Sequence, residues 1–150
     1  MISEMQVLER LQQILARDLG QHVDTEKFSG PLDEKNILID YPDVDKMPKN
    51  TMFYIQPDYE SLEELSMGSD LATMHATVFI LCKGAASRVL IQRVFALWSA
   101  LYVLARSNQS LDGFIDSLRI TDMDYYPAVT ASATITAIEA RMQMQWAKQF

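Results

Sequence analysis

The segment Leu71–Lys83 constrains the fold most, because it has the length and the side-chain alternation of a long β-strand. Successive side chains of a strand point to opposite faces, which divides its residues into two sets. One set is Ala72, Met74, Ala76, Val78, Ile80 and Cys82; the other is Leu71, Thr73, His75, Thr77, Phe79 and Leu81. The end of the segment, Val78–Cys82, is apolar in both sets, so we expect cover on both faces there.

Two earlier segments also have strand-like sequences. Thr51–Gln56 is rich in β-branched and aromatic residues, which favour strands. Tyr59–Ser66 alternates weakly, after a turn that Pro57–Asp58 predicts and before a hairpin-like turn at Met67–Asp70. The three segments predict successive strands of one sheet.

Two more predicted strands end the chain, Phe114–Tyr126 and Ala133–Trp146, with a turn of small residues at Pro127–Ser132 between them. The last segment alternates clearly between apolar and polar residues. A helix over Ile138–Lys148 is an alternative, because Glu, Ala, Met, Gln and Lys favour helices. We favour a strand, because the period of two continues to about Met144.

Helical periodicity occurs in two segments. In Ser3–Leu19 apolar residues recur every three to four positions, and Ser3 and Gly20 predict its N-cap and its end. The second helix is predicted at Ala85–Arg106, after Gly84 breaks the preceding strand. Its apolar residues form two adjacent stripes, Leu90, Val94, Leu97 and Leu101 in one and Ile91, Phe95, Trp98 and Tyr102 in the other. The back of the helix is also apolar, so we expect the helix to be either enclosed in its own core or shared with another subunit that packs on this back.

Gln21–Asn50 is irregular, with glycine, prolines, several acids and one short apolar run, Ile37–Ile39, that predicts a short strand at most. A connection this long is either a surface loop or an arm that orders against a partner. The 150 residues fit a single domain spanning 1–150. The element order α-β-β-β-α-β-β predicts an α+β fold, a mostly antiparallel sheet of about five strands with two main helices packed on it.

The chain is acidic, since 13 Lys and Arg against 20 Asp and Glu give a net charge of −7. This balance argues against a protein that grips nucleic-acid phosphates. The single cysteine, Cys82, excludes an internal disulfide and a Cys-rich metal site. We expect no signal peptide and no membrane span, because the longest apolar stretch, Val94–Ala105, is shorter than the roughly 20 residues that cross a bilayer.

Candidate nucleophiles do not pair with a base. His75 and Cys82 fall at an odd separation on one predicted strand and therefore point to opposite faces. No feature of the sequence pairs His22 with Cys82. The five glycines form no phosphate-binding loop.

The acidic clusters do not match known ligand patterns either. Asp40, Asp43 and Asp45 lack the spacing and the glycine of an EF-hand. Asp122 and Asp124 have the spacing of an outward acidic strand face. We therefore predict a protein that is not an enzyme, with no catalytic residue, no metal ion and no cofactor.

From the second helix onward the sequence resembles a known family. Phe95–Leu104 is followed by Leu111–Asp116, then by Asp124–Tyr126, a turn of small residues and an alternating last strand. This succession, with the helix, long loop and hairpin before it, is similar to that of the tail terminator or tail-completion proteins of long-tailed bacteriophages. The resemblance covers nearly the whole chain in topology.

The resemblance implies a structural protein of the virion that caps the tail. Such proteins form a homo-hexameric ring on the last ring of the tail-tube protein, stop its polymerisation and offer a surface to the head-neck connector protein. It implies assembly in the host bacterial cytoplasm, a final place at the head-proximal end of the tail, and DNA that passes through without specific binding. The acidic balance fits such a conduit.

Candidate contacts between subunits follow from this resemblance. They are Ala96, Ala100 and Val103 on the back of the second helix, and Met142, Met144 and Trp146 on the last strand. Ordinary core packing is an equal alternative for the last three. Thr51–Gln56 or Ala133–Met144 would pair across subunits as open sheet edges.

Two other functions fit the same residues. An acidic effector chaperone of type III secretion has a similar element order and forms a two-fold homodimer instead of a ring. A small hydrolase that uses Cys82 or the acids near Asp122 would need a concave pocket with a perturbed pKa.

Overall fold

A computed structural model describes residues 1–23, 32–126 and 135–149. It contains two α-helices and one five-stranded sheet, so the predicted α+β class is confirmed. The helices are α1 (Glu4–Asp18) and α2 (Ser87–Ser107). The strands are β1 (Ile37–Ile39), β2 (Thr51–Ser66), β3 (Ser69–Lys83), β4 (Ser117–Tyr126) and β5 (Ile135–Gln149).

The sheet has the strand order β1-β2-β3-β5-β4. The pairs β2–β3, β3–β5 and β4–β5 are antiparallel, and β1 pairs with β2 in parallel, so the sheet is mixed. β5 is a strand over its described length, which excludes the helical alternative for Ile138–Lys148. It lies between β3 and β4, so the prediction of an open edge at Ala133–Met144 is wrong for its described part. The predicted turn at Pro127–Ser132 lies outside the described residues.

β2 runs through Pro57–Asp58 without a turn, contrary to the prediction from its sequence. The register shifts there by one residue, which marks a β-bulge. Pro57 is tolerated because β1 borders β2 only along Phe53–Ile55. Beyond that point β2 pairs with β3 alone among the described residues, and the missing N–H of a proline costs least at a sheet edge.

Both helices pack on one face of the sheet, which we call the helix side. The even-numbered residues from Ala72 to Cys82 and from Thr136 to Trp146 point to this side and are buried, with Trp146 the largest of them. On the other face, the outer side, a smaller apolar cluster forms where Met47 covers Met52, Tyr54 and Leu81. The predicted cover on both faces of the end of β3 is therefore present.

The described part of the long connection packs on the domain. Ile37 is buried, the Asn36 side chain donates a hydrogen bond to the carbonyl of Thr51, and the Gln12 side chain donates one to the carbonyl of Ile37. These contacts attach residues 32–50 to the sheet and to α1. Residues 24–31 lie outside the described part.

α2 buries a different pair of stripes from the predicted pair. The first predicted stripe is buried. The residues buried beside it are Ala100, Leu104 and Ala105. Ile91, Phe95 and Tyr102 of the second predicted stripe are left exposed. Alanines at the contact let the helix backbone approach the sheet closely. α2 also has the length and apolar composition of a helix that could cross a membrane, and seven of its 21 residues are buried in the core.

Candidate subunit-contact surfaces

Four of the six predicted contact residues belong to the core. Ala100, Met142, Met144 and Trp146 are at most 1% exposed, so their assignment to a subunit surface is wrong in this chain. Met142, Met144 and Trp146 lie on the helix side of β5 beneath the helices, and core packing, the alternative considered for them, is correct. Ala96 is half-buried, and Val103, at 47% exposed, keeps the predicted outward position.

The end of β5 is joined to the start of α1. Trp146 donates its indole N–H to the carbonyl of Ile2 at 3.2 Å, and the Lys148 ammonium lies between the carboxylates of Glu4 and Glu60. The hydrogen bond from Lys148 lowers the pKa of Glu4, whereas burial and the nearby Glu4 charge raise the pKa of Glu60. This cluster joins the outer half of β2, at Glu60, and the end of β5 to the start of α1.

The first candidate surface lies where α2 passes the free edge of β4. A stripe of α2, defined here as Ile91, Phe95, Trp98 and Tyr102, is exposed except for the half-buried Trp98, and its last three members lie close to other rings. Phe95 contacts Tyr125 of β4, with ring centroids 5.1 Å apart. This places the stripe along the β4 side of the sheet.

Between α2 and β4 there is a groove of about 260 Å³. Its walls are Tyr102, Ala105, Arg106 and Gln109 on one side and Leu118, Arg119, Ile120 and Thr121 on the other. Both arginines are exposed, and neither forms an ion pair within the described residues. The groove is therefore apolar at its base and basic at its rim.

The second candidate surface is the outer half of the β2–β3 hairpin, residues 59–69, which we call the arm. Its outer strand carries Tyr59, Leu62 and Leu65, and its tip carries Met67, all of them more than half exposed. Glu63 and Glu64 are exposed between them, so the arm is apolar and acidic. Within the described chain no strand borders the outer edge of the arm.

The groove and the arm lie at opposite edges of the sheet. β4 is the last strand at one edge, and the arm extends β2 at the other edge beyond the short β1. Sequence reasoning did not identify the arm as a contact surface. The sequence feature that could have indicated it is the pair Leu62 and Leu65, which flank two adjacent glutamates in a weakly alternating segment.

The candidate nucleophile and base are separated as predicted. Cys82 is buried on the helix side, and burial raises the pKa of its thiol to about 11. His75 stacks on Tyr59, with ring centroids 4.1 Å apart, on the other face. A thiol with this pKa is protonated at neutral pH and is a poor nucleophile.

The predicted acidic groups divide between two places on the outer side. Asp122 and Asp124 both accept hydrogen bonds from Arg141, at 2.9 and 2.7 Å, and this contact lowers the pKa of Asp122. Asp40 and Asp43 border an open hollow of about 830 Å³ that Glu139 also lines. Within residues 1–23, 32–126 and 135–149, no three His, Cys, Asp or Glu side chains are arranged to hold a metal ion.

The comparisons with known proteins add no relative. No family model matches the sequence. No curated protein matches it either.

Proposed function

We propose that this protein is a structural subunit that assembles head to tail into a closed ring, and that the ring is the terminator of a bacteriophage tail. One observation carries the first part: the chain has two unlike contact surfaces, the groove and the arm, at opposite edges of one sheet. Unlike surfaces that bind each other produce a heterologous interface, which closes into a ring when the rotation between copies allows it.

A two-fold dimer is less well supported by the same surfaces. A two-fold interface uses one self-complementary patch on both copies. The groove is basic at its rim and the arm is acidic, so each surface is better matched to the other than to itself. This favours a ring over the dimeric secretion chaperone.

The assignment to a phage tail comes from the resemblance in element order. In this role the ring caps the tail-tube protein, presents a surface to the head-neck connector protein, and lets DNA pass. The net charge of −7 supports a conduit, because an acidic lining does not retain phosphates. The proposed location is the head-proximal end of the tail.

Deletion of the gene from the genome that carries it tests this role. We expect electron micrographs of the released particles to show tubes of irregular length and filled heads without tails, with both defects repaired when the gene is supplied in trans. Normal, joined particles would contradict the terminator role. Loss of a secreted effector with normal particles would instead support the chaperone.

A further inference from the structure

We propose that the arm of one copy docks in the groove between α2 and β4 of the next copy and continues its sheet. This inference rests on the proposed head-to-tail ring and names the residues that meet in it. Three independent properties of the two surfaces match: their backbone edges, their apolar residues and their charges.

Backbone pairing is available on both sides. The outer edge of the arm has no partner strand in the described chain, and neither has the outer edge of β4, which pairs only with β5. Unpaired N–H and C=O groups along such an edge are a template for another strand. An arm strand added to β4 would satisfy both edges at once.

The apolar residues then fall on the correct side. Leu62 pairs with Ala72, which is buried on the helix side, so the Leu62 side chain also projects to that side. Leu118 and Ile120 of β4 project to the same side, because they pair with buried Met144 and Met142. In a continued sheet Leu62 would enter the groove beneath Tyr102.

The charges match on each face separately. Glu64 pairs with Asp70 and projects to the helix side, where Arg106 of α2 borders the groove. Glu63 pairs with Leu71 and projects to the outer side, as Arg119 does through its pairing with Gln143. Glu64 would therefore approach Arg106 at the groove, and Glu63 would approach Arg119 on the opposite face of β4.

The same charges disfavour the competing occupant, a second arm. Two arms paired edge to edge would bring Glu63 and Glu64 of both copies together, and like charges across strands are destabilising. The groove of another copy offers both apolar surface and positive charge.

Cysteine cross-linking tests the contact directly. A chain with L62C and Y102C, treated with a short bismaleimide, should give a ladder of covalent oligomers that ends in one closed species. The control chain with L62C and Q92C has its second cysteine at an exposed position higher on α2 and should remain near background. Buried Cys82 should not react in either chain.

The outcomes separate this inference from the proposed function. Links between two copies of position 62, or equal linking in both chains, would overturn the docking. Rings seen by native mass spectrometry without a link between positions 62 and 102 would overturn the docking and leave the ring intact. A link between 62 and 102 with normal particles after gene deletion would overturn the terminator role alone.

Charge reversal provides a second test. E63K with E64K, or R106E with R119E, should each weaken assembly about tenfold at low salt, and all four changes in one chain should restore it. E9K with E34K changes the net charge as much as E63K with E64K, at exposed positions outside both surfaces, and should have no such effect. The pairing would be contradicted if the chain with all four substitutions kept its melting temperature but did not recover assembly.

Discussion

At the N-terminus of α1 the Ser3 hydroxyl accepts a hydrogen bond from a backbone N–H that has no acceptor within the helix. Ser3 accepts a hydrogen bond from the backbone N–H of Gln6, and the Gln6 side chain accepts one from the N–H of Ser3. This reciprocal arrangement is a capping box. The sequence predicts the N-cap from Ser3 alone, since a serine before an apolar periodic segment is sufficient to suggest it.

We expect S3A to lower the free energy of unfolding by about 1 kcal/mol, because it leaves the Gln6 amide without its acceptor. Urea unfolding followed by circular dichroism measures this difference. S99A is the matched control, because Ser99 is exposed within α2 and alanine there favours a helix. Equal effects of the two substitutions would contradict the capping role.

Cys82 makes stability depend on pH in the alkaline range. Burial raises the pKa of its thiol from 9.0 to about 11, so the folded protein holds this proton more tightly than the unfolded chain. The contribution is fully present below pH 9 and is lost as the pH rises toward 11. At about 1.4 kcal/mol per pKa unit, it amounts to roughly 2 to 3 kcal/mol.

The comparison with C82A isolates this contribution, because other titrating groups are common to both proteins. The difference in unfolding free energy between the native sequence and C82A should change by that amount between pH 8 and pH 11, in favour of C82A at high pH. A difference independent of pH would show that the thiol does not titrate in this range.

Among the elements, α2 shows most clearly that packing decides which side of a helix is buried when the sequence pattern fits two sides equally well. The predicted stripe at Leu90, Val94, Leu97 and Leu101 is buried, as the 3.6-residue period requires. The two flanks of that stripe are both apolar, so periodicity alone cannot choose between them. The choice depends on how α2 packs on the sheet, chiefly on β5 and β3: the small Ala100 and Ala105 are buried there, and Phe95 is left exposed.

Because α2 turns Ala100 toward the core and not outward, the effect expected of a charge at this position is reversed. An exposed Ala100 would tolerate glutamate, but Ala100 is fully buried, so A100E places an unpaired carboxylate in the core and should cost several kcal/mol or prevent folding. V103E, at an exposed position one turn on, should change stability by less than about 0.5 kcal/mol. Thermal unfolding distinguishes the two, and a stable, monomeric A100E protein would contradict the observed packing.

Local patterns predict α1, α2, β3 and β5, because each has a long and clear period. They do not predict the strand order, since the insertion of β5 between β3 and β4 depends on pairing between distant segments. They also mislead at Pro57, where an edge position removes the usual cost of proline in a strand. The contact surfaces are the hardest feature to predict from the sequence. Leu62 and Met142 are both apolar residues of strands, and only the position of each strand in the fold leaves Leu62 exposed and Met142 buried.

At the scale of the whole molecule, the net charge predicts whether the protein binds nucleic acid. A net charge of −7 disfavours the approach of duplex DNA, because its phosphates are negative as well. We expect no retardation of duplex DNA in gel electrophoresis at about 50 mM salt, with a basic DNA-binding protein as the positive control. Retardation that disappears with added salt would reveal a basic surface and contradict the proposed conduit.

The placement of groove and arm at opposite edges of one sheet also has a genetic consequence. In the proposed head-to-tail docking, an unclosed row of copies has a direction, with a free arm at one end and a free groove at the other. A copy with an intact groove and an altered arm joins such a row and then blocks the next addition. Alleles of this kind would be dominant over the normal gene, whereas alleles that unfold the domain would be recessive.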